Sequence, residues 1–133
     1  MTAELGGVRE ACGYIDIDIA YCSMTRDVEF EGDSLSRIRE FPKGASRALG
    51  FQIEKVQHGE DPDDWKPMSI VGAGVREIRL REDGNAYRAL YVTRLGDAVY
   101  VLHAFVKKTQ QTARSDIDLG RKRYAALVRR LNK

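Results

Sequence analysis

Hydrophobic and polar positions sort the chain into short segments of period two and longer ones of period 3.6. Over residues 14–21, Ile15, Ile17, Ile19 and Tyr21 alternate with Tyr14, Asp16, Asp18 and Ala20, the pattern of a strand with one apolar face. Residues 26–30 predict a second short strand with Val28 and Phe30 inward. Gly32 and Asp33 turn the chain. Asp33 or Ser34 then caps a helix whose buried side is Leu35, Ile38 and Phe41. Pro42 ends that helix, because proline restricts its predecessor and donates no hydrogen bond. A second helix over residues 45–58 carries Ala45, Leu49, Ile53 and Val56 on one stripe. Gly59 follows it, where a left-handed backbone costs glycine nothing extra. The two helices predict an antiparallel hairpin.

Residues 61–67 predict a loop with Trp65 as its apolar anchor. Gly72 and Gly74 lead into a strand over residues 75–81. Glu82-Asp83-Gly84-Asn85 has the composition of a hairpin turn. Strands over residues 87–93 and 98–106 follow, separated by Gly96 and Asp97, and the three make an antiparallel meander. Residues 112–115 lead into a final helix, with Ser115 and Asp118 at the spacing of a capping box. Ile117, Gly120/Arg121, Tyr124, Leu127/Val128 and Leu131 form its packed stripe. Arg121, Lys122, Arg123, Arg129 and Arg130 crowd its other sides. The element order describes an α+β domain over residues 26–133. Residues 1–25 form an N-terminal extension, either an extra edge strand or a disordered segment.

A chain of 133 residues fits one domain, and 43% hydrophobic content supports a core without covalent staples. Cys12 and Cys22 have neither CxxC nor metal-site spacing, so free thiols are expected. No apolar run approaches the roughly 20 residues of a membrane span. The start carries Glu4, Arg9 and Glu10 and lacks the apolar region of a signal peptide. These features predict a soluble cytoplasmic protein. The net charge of +2 hides an asymmetry: nine Lys/Arg face two Asp from Val101 onward, against thirteen and eighteen before it. An anionic partner belongs at the basic end.

Strand periodicity sorts the basic residues. Ile78 and Leu80 share one face of their strand; Glu77, Arg79 and Arg81 share the other, which is therefore wet or ligand-facing. His103 and Lys107 project the same way from the last strand. Arg79 and Arg81 either pair with Glu77 and Glu82 on a solvated sheet, or converge with Arg88, Lys107 and Lys108 on a phosphodiester. His103 is either a hydrogen-bonded core residue or a proton carrier suited to neutral pH. Tyr91 either stacks on a base or belongs to the core. His58 serves its helix end. Asp61, Asp63 and Asp64 lack the spacing of a calcium loop, Asp116 and Asp118 suit helix capping, and no P-loop, GxGxxG or nucleophile elbow occurs. No metal or other cofactor is expected.

The stretch GVREIRLREDGNAYRALYVTRLGDAVYVLHAFVKKTQQTARSDIDLGRKRYAAL, with DPDDWKPM upstream, resembles the RelE/HigB toxin superfamily, and within it the phage-derived, HigB-like branch. The likeness covers roughly four fifths of the chain. It rests on the Arg-Glu-Ile-Arg strand, Tyr87–Arg88 after a glycine turn, and His103-Ala-Phe-Val-Lys-Lys-Thr109. The resemblance implies a RelE-like compact antiparallel sheet with an N-terminal helical hairpin and a C-terminal helix. It implies a ribosome-dependent endoribonuclease toxin of a type II toxin–antitoxin system, which cuts translated mRNA by attack of a ribose 2′-OH on the adjacent phosphorus. Arg79, Arg88 and Lys108 match the basic residues of the family's catalytic groove, while Glu77 stands where the family can carry lysine. Arg88 is the first candidate for the phosphate clamp, assisted by Arg79 and Lys108, with His103 or Lys107 moving protons. Arg81, Tyr91, Arg121, Lys122, Arg123 and Tyr124 are candidate RNA contacts. Replacing Arg88 with Ala is expected to impair cleavage far more than stability. The implied partners are the ribosome, mRNA and a helix-turn-helix antitoxin through which promoter DNA is contacted indirectly. A non-catalytic RNA- or ribosome-binding module and a phage accessory protein are the alternatives.

Overall fold

The computed structural model describes residues 25–108 and 111–132. The strand expected over residues 14–21 lies outside them. The order of elements is β1 (Val28–Phe30), α1 (Ser34–Glu40), α2 (Lys43–Gln57), β2 (Trp65–Pro67), β3 (Arg76–Glu82), β4 (Asn85–Val92), β5 (Val99–Lys107) and α3 (Arg114–Leu131). The sheet runs β1-β5-β4-β3-β2, an α+β arrangement with helices on both faces.

The β3–β4 hairpin fixes the register. Asp83 and Gly84 both have positive φ, 50° and 82°, as a tight two-residue hairpin turn requires. Arg79 thereby stands opposite Arg88, and Arg81 opposite Ala86. In the next ladder Arg88 faces Phe105 and Ala86 faces Lys107. A bulge between Leu90 and Tyr91 then shifts the pairing, leaving Leu102 between His103 and Val101.

Two cores flank the sheet. On one face Ile38 of α1 and Leu49, Ile53 and Val56 of α2 meet Ile78, Ala89, Tyr91, Val99, Val101 and Ala104. On the other, Leu127 of α3 meets Leu90, Val92, Ala98, Tyr100, Leu102 and Phe105, with Ile117 and Tyr124 alongside. Gly120 lets α3 approach closely: a Cβ there would stand 2.9 Å from Leu90 Cδ1. This second core fills one end of its sheet face. At the hairpin end the described residues leave Arg79, Arg81 and Lys107 partly or fully open, with Arg88 buried among them.

Several local expectations need correction. Residues 65–67 are a short edge strand, pairing Trp65 with Ile78 and Pro67 with Arg76. Trp65 is indeed an anchor, but for a cation: the Arg76 guanidinium lies 3.9 Å above its ring. The sheet is mixed, because β1 runs parallel to β5. Asp33 does stand at the N-cap of α1, but its side chain makes no capping bond; it binds Arg37 and Arg123, and Ser34 donates to the Val101 carbonyl inside the protein. The final helix begins one residue before Ser115 with no side-chain cap. Leu131 is exposed rather than packed. Gly59 does adopt positive φ after α2, and His58 Nδ1 donates to the Glu54 carbonyl at that helix end.

Candidate active-site groove

The hairpin end of the sheet is a groove of about 770 Å³ lined by Arg79, Arg81, Gly84, Asn85, Ala86, Arg88, Val106, Lys107 and Lys108. Five of these residues are cations and none is an acid. The ladder register explains the convergence. Arg79 and Arg88 form one cross-strand pair on the face toward α3; Arg81 and Lys107 flank Ala86 in the next row, about 7 Å along the strands. Like charges placed directly opposite each other destabilise a sheet, so an anion in the groove would relieve a repulsion built into the fold.

Arg88 is the buried member, its side chain 6% exposed. Its Nη1 donates to the Tyr87 carbonyl at 3.1 Å, and its Nε lies 3.6 Å from Glu77 Oε1. Burial works against its charge, Glu77 supports it, and Arg79 and Arg81 oppose it. Arg79 is more open, with only a 4.0 Å approach to Asp64. Lys107 is half-buried. Burial, with repulsion from Arg88, holds its pKa below the ordinary lysine value, partly offset by Glu77. A lysine so placed is a better base at moderate pH than a solvated one. Lys108 is exposed at the rim.

Glu77 departs from its expected wet position. It is fully buried, one row farther from the hairpin turn than the Arg79–Arg88 pair, and its Oε2 accepts a hydrogen bond from Thr112 Oγ1 at 3.0 Å. Strand alternation assigned its face but not its depth, and no sequence signal pointed to Thr112. Asn85 also lines the groove, contributed by the hairpin turn.

His103 does not belong to the groove. It is 1% exposed, and its Nε2 donates to Asp116 Oδ1 at 2.8 Å, tying β5 to the start of α3. Burial lowers its pKa against the opposing pull of Asp116. It shares a strand face with Lys107 but sits four residues away, about 13 Å along an extended strand. Tyr91 is likewise removed, buried on the opposite sheet face in the core under α1 and α2. Arg123 donates to the Leu102 carbonyl and to Asp33, and the Tyr124 hydroxyl donates to the Ala73 carbonyl; both knit α3 to its surroundings. Arg121 and Lys122 are exposed on α3 and do not line the groove. Arg130 bridges Glu29 and Glu31 beside β1.

Among the described residues, no group of three His, Cys, Asp or Glu side chains is placed to hold a metal ion, and no helix is long and apolar enough to cross a membrane.

Residues 36–125, which include the whole groove, match the family described as phage-derived protein Gp49-like (DUF891). The chain belongs to that family. No curated protein matches it.

Proposed function

We propose that this Gp49-like protein is a RelE/HigB-type toxin, an endoribonuclease that cuts mRNA on the translating ribosome. The observation that carries the reading is the convergence of Arg79, Arg81, Arg88, Lys107 and Lys108 on one acid-free groove. The resemblance of the β3–β5 sequence to that superfamily supports it.

In the proposed reaction the ribose 2′-oxygen attacks the adjacent phosphorus as the bond to the 5′-oxygen breaks. The products are a 2′,3′-cyclic phosphate and a free 5′-hydroxyl. Lys107, in its neutral form, takes the 2′ proton. Arg88 and Arg79 meet the charge that grows on the phosphorane oxygens, with the planar guanidinium of Arg88 suited to two of them. Lys108, as an ammonium, supplies the proton to the leaving 5′-oxygen. The exposed Arg121 and Lys122 contact ribosomal RNA phosphates, with affinity that falls as salt rises. A helix-turn-helix antitoxin would restrain the toxin.

Arg79→Ala gives the cleanest test. In a translating extract, primer extension is expected to show defined cuts with the wild-type protein and a loss of at least about 100-fold in rate with the variant. Equal cutting by the variant would overturn the assignment. Protection of RNA without cutting would favour a binding module.

A further inference from the structure

We propose that Glu77 is a positioning residue: from the buried row beside the groove it sets the orientation in which Arg88 presents its guanidinium to the phosphate. The inference rests on the endoribonuclease reading and deepens it.

A carboxylate at this place is costly. Glu77 is fully buried, and removing an ionised group from water is expensive unless it is paired and hydrogen-bonded. An apolar side chain of similar volume would avoid that cost. The sheet therefore gives no packing reason for the charge.

The contacts supply another reason. Oε2 is held by Thr112, from the segment just before α3. Oε1 faces Arg88 Nε at 3.6 Å, and neither atom has a hydrogen-bond partner. A charge-assisted N–H···O bond closes to about 2.7–2.9 Å, so the pair is held open by less than an ångström. Nη1 is anchored on the Tyr87 carbonyl. The guanidinium is thus constrained on its Nε and Nη1 sides, one by electrostatics and one by a hydrogen bond. Rotation about its long side chain, the usual freedom of arginine, is restricted before substrate arrives. Such restriction favours rate, because orientation is fixed in advance.

Glu77 also supports the charge of Arg88 and raises the pKa of Lys107. Its removal makes the groove more positive. Ground-state affinity for RNA should then hold or improve while turnover falls, the reverse of what loss of a binding residue produces.

The test uses the full chain with programmed ribosomes. Glu77→Gln keeps the shape and removes the charge. We expect kcat to fall tenfold or more with KM unchanged or lower. The midpoint of the base-limited rise in rate with pH should move to lower pH, because Lys107 loses an anion that favoured its protonated form. Thr112→Val leaves the charge but frees Oε2, and should reduce kcat by a smaller factor. Independently of activity, the Arg88 Nε–H resonance should be resolved and slow to exchange in the wild type and broadened in Glu77→Gln. Wild-type cutting combined with an unaltered kcat, pH profile and Arg88 resonance in the variant would overturn the inference alone. An uncut message with wild-type protein would sink the endoribonuclease reading, while the Arg88 resonance would still report whether Glu77 positions that side chain. If Glu77→Gln fails to fold, unchanged kcat and Arg88 exchange in Thr112→Val overturn the inference instead.

Discussion

At the scale of single residues, the groove contains two kinds of arginine, and substitution should separate them. Arg79 is 40% exposed and meets only the exposed Asp64, at 4.0 Å; its replacement by Ala should change stability by no more than about 0.5 kcal/mol. Arg88→Ala leaves Glu77 buried without its counter-charge, and should cost about 3–5 kcal/mol. Urea unfolding of the two variants checks the contrast. The expectation that loss of Arg88 impairs cleavage far more than stability took no account of Glu77: a sequence shows that an arginine is present but not that a buried acid faces it. His103 gives a second prediction. Its folded-state pKa lies below the ordinary 6.5, so below that pH the unfolded chain binds a proton that the folded chain refuses. Stability should therefore fall as pH drops through 6.5 toward the folded value, and recover above it. Replacing His103 with Gln should flatten the dependence measured between pH 5 and 8; an unchanged slope would contradict the assignment.

At the scale of elements, strongly periodic segments were legible and short or capped ones were not. The β3–β4 hairpin and β5 follow their alternation, and the Asp83–Gly84 turn follows from residues that tolerate positive φ. A three-residue strand such as β2 is too short to show a period, so Trp65 read as a loop anchor. The α1 start lacks a side-chain cap bond because other partners take those oxygens: Arg37, one turn along the same helix, and Arg123 of α3 claim Asp33, and a β5 carbonyl claims Ser34. The same competition explains α3. In sequence Arg123 and Arg130 crowd the outer sides of the last helix, yet each reaches back to an acid near β1. The seat of α3 depends on Gly120. A Cβ there would meet Leu90 and Val71, at 2.9 and 3.2 Å, within a filled core. Gly120→Ala should destabilise by about 1–3 kcal/mol despite alanine's better helix propensity. Thermal unfolding decides the sign, and a gain in stability would mean that the helix shifts freely.

At the scale of the whole molecule, the candidate site is a property of register. No single strand carries it: β3 gives Arg79 and Arg81, β4 gives Arg88, and the end of β5 gives Lys107 and Lys108. Their alternation was visible in sequence, and so was their convergence once a meander was drawn. Invisible were the depth of Glu77 and the extent of α3, which together decide which part of the sheet face stays open. His103 was excluded by depth as well: it is buried and held by Asp116 of α3. The central claim, that the open end of the sheet cuts RNA by internal transesterification, is tested most directly by the ends it leaves. Purified protein added to ribosomes programmed with a defined message should produce fragments bearing 5′-hydroxyl and 2′,3′-cyclic phosphate termini. An intact message, or fragments ending in 5′-phosphate, would contradict it.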